Sequence, residues 1–95
     1  MTKIEIPDSV VYIGNSAFCE CNALVEIKIS STVKTIGQHA FFGCSMLNKV
    51  IIPSSVKFIG DFAFDQCQSL TDVIIESSDV EIGKDAFPQH TKITK

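Results

Sequence analysis

The sequence predicts a solenoid of about four stacked 23-residue coils that carry a parallel β-sheet. Three observations lead there. A pattern, Ile-Gly-x-x-Ala-Phe-x-x-Cys-x-x-Leu, recurs at fixed spacing. A short β-branched segment precedes every copy. Residues at equivalent positions fall into columns whose chemistry is matched only when the copies are stacked.

The pattern runs first from Ile13-Gly14 through Ala17-Phe18 and Cys21 to Leu24. It returns without insertion at Ile36-Gly37, Ala40-Phe41, Cys44 and Leu47, and again at Ile59-Gly60, Ala63-Phe64, Cys67 and Leu70, each 23 residues on. A fourth, worn copy runs from Ile82-Gly83 through Ala86-Phe87 to His90 and Ile93. The segments ahead of the copies are Ile4-Glu5-Ile6-Pro7, Ile27-Lys28-Ile29-Ser30, Val50-Ile51-Ile52-Pro53 and Val73-Ile74-Ile75-Glu76. Their alternation is that of strands with one buried face. Pro7 and Pro53 close their strands, where a missing N–H does least harm. A turn such as Asp8-Ser9 follows, then Val10, Val33 or Val56; the worn copy has Asp79 there and places Val80 one residue later. At Ile-Gly the glycine either takes a backbone angle that other residues resist or lets neighbouring coils approach closely. Ala-Phe opens a short helical or 3-10 turn, with Phe as the bulk of the interior. The leucines lead into the next strand, and Met1 falls in their column.

No single unit of this size can bury its apolar face; stacked copies bury it against one another. The residues just before the strands read Lys3, Glu26, Lys49, Asp72. Their alternating sign makes every neighbouring pair opposite in charge, which a slip of pairing would destroy.

The 95 residues suffice for one small domain, 1–95, with coils at about 1–23, 24–46, 47–69 and 70–95, the last degenerate and cap-like. Hydrophobic residues make up 45% and charged ones 20%, which is a globular composition. Net charge is −3 and the lysines are scattered singly, so no basic block grips nucleic acid. No apolar run approaches the roughly 20 residues that span a bilayer, so membrane insertion is not expected. Met1–Glu5 lacks the apolar core of a signal peptide. Either the protein stays where it is made or the sequence is a piece of a longer exported chain. Cys21, Cys44 and Cys67 share one repeat position and read as a reduced thiol column filling a narrow interior. Cys19 is out of step and expected to be more exposed. A Cys19–Cys21 metal clip would need further ligands at metal-binding spacing, and none follow.

These residues carry a resemblance. The strand ending in Ile-Pro, the following Val-x-x-Ile-Gly and the Ala-Phe-x-x-Cys-x-x-Leu run are similar to the BspA-type, or Treponema pallidum-type, leucine-rich repeat. The match covers nearly the whole chain in three good copies and one degenerate one. The departures are Ser30 and Glu76 for the proline, Asp79 for the valine, His90 for the cysteine and Ile93 for the leucine. The resemblance implies a leucine-rich-repeat solenoid of the α/β horseshoe class, rich in β, curved, with a parallel sheet on one face. It implies a non-enzymatic protein-binding role, with adhesion at a cell surface, and it favours export. The thiol column fits a reducing compartment instead.

Catalysis finds little support. A nucleophile needs a base within hydrogen-bond reach, oriented by a third group. Only His39 and His90 are histidines; His39 lies in a variable slot and is expected exposed, and His90, in the cysteine column, is expected to be a partly buried cap residue. Glu5, Glu20, Glu26, Asp61 and Asp65 read as a solvated surface. The glycines lack the spacing of a phosphate-cradling loop. No catalytic residue, cofactor or metal site is therefore expected.

Binding finds more. The outward slot of the strands reads Glu5, Lys28, Ile51, Ile74, and a second slot reads Tyr12, Thr35, Phe58, Glu81. Phe42 and Phe62 also stand where other copies are polar. Adjacent apolar residues on an open face mark a contact surface; the alternative is that they pack on one another or cover a coil edge. Lys28, Ile51, Phe58 and Ile74 are the expected partner-binding residues, for a protein of unknown identity. The chain also begins at a strand without a polar cap, so either more repeats precede Met1 or the molecule self-associates through that end. The remaining alternative is an assembly repeat or a truncated or engineered array fragment without a ligand of its own.

Overall fold

A computed structural model describes residues 2–95; the leucine-column position of Met1 lies outside the described residues. Among the described residues nine short strands alternate between two sheets: β1 (Thr2–Glu5), β2 (Tyr12–Ile13), β3 (Leu24–Lys28), β4 (Thr35–Ile36), β5 (Lys49–Ile52), β6 (Phe58–Ile59), β7 (Asp72–Ile75), β8 (Glu81–Ile82) and β9 (Lys92–Thr94). The odd strands form a five-stranded sheet in the order β1-β3-β5-β7-β9, and the even strands a four-stranded sheet in the order β2-β4-β6-β8. All pairings described are parallel. The chain winds through one strand of each sheet and a turn segment per coil, which is the expected solenoid.

The columns form the core. Val33, Ile36, Ala40, Phe41 and Cys44 of the second coil are buried, so are Val56, Ile59, Ala63, Phe64 and Cys67 of the third, and so are Leu47 and Leu70, which open the third and fourth. The phenylalanines stack along the solenoid axis: ring centroids lie 5.2 Å apart for Phe18–Phe41, 4.8 Å for Phe41–Phe64 and 5.2 Å for Phe64–Phe87, with planes within 10°. Burying each ring stabilises by about 2–3 kcal/mol, and each aromatic pair adds about 1 kcal/mol. The Cys44 and Cys67 thiols donate to the Phe18 and Phe41 carbonyls at 3.1 Å, so the thiol column also bonds coil to coil. All four cysteines are free, and Cys19, expected to stand apart, is half-buried like Cys21.

The repeat glycines act through close approach. Only Gly43, outside the Ile-Gly pairs, has positive φ. A Cβ on Gly37 would lie 2.7 Å from the Asn15 backbone nitrogen, and one on Gly60 2.5 Å from that of Gln38. Gly14, with no coil beneath it among the described residues, would meet only the Tyr12 ring at 3.8 Å.

The segments that span Ala-Phe are linked β-turns with no helical continuation. Ser16 and Glu20, then His39 and Gly43, then Phe62 and Gln66 take positive φ. A left-handed residue every fourth position stops a right-handed turn from propagating. Its effect is to aim alternate N–H groups at the neighbouring coil: Ser16, Phe18 and Glu20 donate to the carbonyls of Gln38, Ala40 and Phe42, and His39, Phe41 and Gly43 to those of Asp61, Ala63 and Asp65.

The fourth coil leaves the 23-residue spacing. Pro88 stands where Phe42 and Asp65 donate an N–H back three residues, and it has none to give. The chain turns instead with a bond from Thr91 N–H to the Pro88 carbonyl, and the Thr91 hydroxyl caps the Leu70 carbonyl at 2.8 Å. Ile93 therefore pairs with Val73 in the sheet and does not enter the leucine column. His90 is exposed, contrary to a partly buried place in the cysteine column.

Candidate functional site

The five-stranded sheet presents two outward columns. One is the charge column, paired as Lys3–Glu26, Glu26–Lys49, Lys49–Asp72 and Asp72–Lys92, so Lys92 extends the alternation into β9. The other pairs Glu5 with Lys28, and Ile51 with Ile74, which in turn meets Thr94. Ile51 is 42% exposed and Ile74 half-buried. The N-terminal part of this face is thus a checkerboard of charge, Lys3, Glu5, Glu26 and Lys28, and the C-terminal part carries the isoleucine pair.

Between these parts the sheet opens. β1 pairs with β3, and β5 with β7, at four positions each, whereas β3 and β5 register only at Glu26–Lys49. The sequence supplies a cause at Ser30, which replaces the strand-ending proline. Its hydroxyl donates to the Asp8 carboxylate at 3.0 Å, and Thr32 Oγ1 donates to the Val10 carbonyl at 2.7 Å. The Ile6 N–H also donates to the Lys28 carbonyl. The end of β3 is tied to the first coil, and a groove of about 780 Å³ opens over it, lined from the first coil to the fourth. Lys28, Ile51, Glu5 and Glu26 line it, with Pro53 and Glu76 toward the strand ends.

Of the residues expected to bind a partner, Lys28, Ile51 and Ile74 share this sheet, and Lys28 and Ile51 share the groove. Phe58 lies on β6 of the four-stranded sheet, between Thr35 and Glu81, and is 43% exposed. Asp8, Ser30 and Glu76 join the groove without having been singled out as binding residues; the signal was Ser30 and Glu76 in a column otherwise held by proline.

A second cluster sits on the turn ridge. His39, expected exposed, is half-buried between Phe42 and Phe62, with centroids 5.3 and 5.2 Å away. Phe62 holds φ 59°, an angle a bulky side chain rarely takes. The one ion pair among the described residues is Lys57–Asp79 at 2.9 Å, exposed on both sides. Hydrogen bonds from Lys57 and then Ser77 hold the Asp79 carboxyl below its ordinary value. In the thiol column, the hydrogen bond with Cys44 and then burial push the Cys67 thiol far up, so it stays protonated. Among the described residues no group of three or more His, Cys, Asp or Glu is placed to hold a metal ion, and no helix is long and apolar enough to cross a membrane.

Parallel coils of this length, a phenylalanine-cored interior and a sheet on one face define a leucine-rich-repeat solenoid. The chain belongs to the BspA type leucine rich repeat region family, whose six-copy model matches residues 1–95. Two solved structures are similar to it. The T. pallidum leucine rich repeat protein is 28% identical with a TM-score of 0.82, over 97% of this chain and 50% of that one. A leucine rich cell surface protein from Faecalibacterium prausnitzii is 29% identical with a TM-score of 0.77, over 80% of this chain and 20% of that one. The chain thus spans half or less of the length of the proteins it resembles. No curated protein matches it. Leucine-rich repeats of this kind are generally protein-interaction modules and typically non-enzymatic.

Proposed function

We propose that residues 1–95 act as one leucine-rich-repeat domain that binds a protein through the outer face of the five-stranded sheet. The supporting observation is the exposed Ile51 paired in register with Ile74 beside the groove at Lys28. Apolar side chains set next to one another on an open face gain little by meeting water and more by meeting a partner. Lys28 supplies a charge at the patch edge, and Phe58 offers a second contact from the neighbouring sheet. The cell-surface description of the Faecalibacterium prausnitzii protein supports adhesion as the setting. The test is binding of the immobilised domain to a panel of purified extracellular-matrix proteins, alongside a folded Ile51→Asp/Ile74→Asp variant. Capture that the double variant abolishes supports the patch; equal capture by both forms refutes it.

A further inference from the structure

We infer that the groove between β3 and β5 receives a basic side chain, lysine or arginine, from an extended segment of the partner protein. This rests on the reading of the outer sheet face as the binding surface and names the chemistry of what binds there.

Charge and shape carry the inference. The groove is lined by four carboxylates, Glu5, Asp8, Glu26 and Glu76, against two lysines, Lys28 and Lys49. Of the four, Asp8 accepts the Ser30 hydroxyl. Among the described residues no ion pair within 4.0 Å engages Glu5, Glu26 or Glu76; Lys57–Asp79 is the pair formed, and it lies elsewhere. The groove therefore carries an excess of negative charge held by exposed, uncommitted carboxylates. Its wall also contains the exposed side chain of Ile51. That combination suits a long cationic side chain, whose methylene stem lies on apolar surface while its charged head meets carboxylate oxygens. An acidic or purely apolar segment would leave the carboxylates desolvated without a partner. An extended segment suits the site, which lies along the ends of parallel strands.

The probe is a blocked pentapeptide, acetyl-Thr-Val-Arg-Val-Thr-amide, with counterparts carrying norleucine or glutamate in place of arginine. Backbone amide shifts of the isotope-labelled domain are followed during titration. The proposal expects shifts centred on Lys28, Ile51 and their neighbours with the arginine peptide, weakening as salt is raised. Norleucine and glutamate peptides bind more weakly in that order. Glu5→Gln and Glu76→Gln each reduce affinity by about threefold and together by about tenfold, the scale of exposed ion pairs. Equal shifts at Lys28 and Ile51 with all three peptides overturn the charge inference and leave the sheet-face reading standing. Shifts that avoid the outer face, or no shifts with the arginine peptide, overturn the proposal; the Ile51→Asp/Ile74→Asp experiment then decides separately whether the face binds at all.

Discussion

The third coil, residues 47–69, and the fourth, residues 70–95, are built on one pattern, and only the third is closed on both sides. Ala63, Phe64 and Cys67 are wholly buried, Ala63 and Phe64 each between equivalents above and below. In the fourth coil Ala86 is buried, Phe87 half-buried and His90 exposed. The difference shows where stability resides in a stack. A repeat residue is worth what its two neighbours enclose, and the same side chain one coil further on is worth about half as much.

The phenylalanine column gives the largest contrast. Phe64 is sandwiched between Phe41 and Phe87, and Phe87 stacks on Phe64 alone among the described residues. Phe64→Ala is expected to cost about 4 kcal/mol and Phe87→Ala about 2 kcal/mol. Urea unfolding of the two variants checks this through their midpoints at unchanged slope. Equal losses would break the nearest-neighbour account.

The glycine column sharpens the contrast with a change of sign. At Gly60 an added Cβ would press on backbone of the preceding coil, at 2.5 Å from Gln38 N and 2.7 Å from Gly37 C, and neither can swing aside. Gly60→Ala is expected to destabilise by about 3 kcal/mol. Gly14→Ala meets nothing within 3.4 Å, and by restricting the unfolded chain it is expected to stabilise by about 0.5 kcal/mol. Thermal unfolding of both variants reads the two signs directly. A Gly14→Ala loss as large as that of Gly60→Ala would mean the glycines serve a backbone angle and not an approach.

The thiol column offers a contrast of rates. Cys44 and Cys67 are buried and bonded to the coil below, while Cys19 and Cys21 are half-buried. With an aromatic disulfide reagent the first coil's thiols are expected to react in the native state. Cys44 and Cys67 react only as fast as the stack opens. Burial, then the neighbouring Cys44 and Cys19 thiols, raise the Cys21 thiol, so less of it is thiolate at neutral pH and it labels more slowly than an unhindered thiol. Four equal rates would contradict the enclosed column.

Much of this was legible in the sequence because stacking converts a one-dimensional repeat into columns. The 23-residue spacing places Phe41 on Phe64 and Lys49 beside Asp72 without any further information. What escaped the reading was set by single residues acting outside their column. Pro88 removes one N–H and draws Ile93 out of the leucine column into β9. The left-handed angles at Ser16, His39 and Phe62 carry no sequence mark, since serine, histidine and phenylalanine share one position. That is why a helical turn was expected where linked β-turns stand. In the candidate site, the outward isoleucines were plain from alternation. The groove was not, because it depends on Ser30 reaching Asp8 in another coil rather than on any neighbour in the chain.

The smallest expected effect concerns the link between the third and fourth coils at the turns that follow Pro53 and Glu76. There Lys57 Nζ donates to Asp79 Oδ1 at 2.9 Å and Ser77 Oγ to the same oxygen at 3.1 Å. Asp79 replaces the column's valine, so the fourth coil exchanges an apolar contact for a solvated one. Both bonds favour the ionised carboxylate, so its folded pKa lies below the unfolded value. The sign follows: the contribution is present above the unfolded pKa near 4 and is lost as pH falls through the folded value. Lys57→Ala should therefore lower the melting temperature slightly at pH 7, less at high salt, and leave it unchanged well below pH 3. A Lys57→Ala deficit that persisted at low pH would assign the lysine's role to packing of its stem on the coil edge, and the corner would then be apolar in both coils after all.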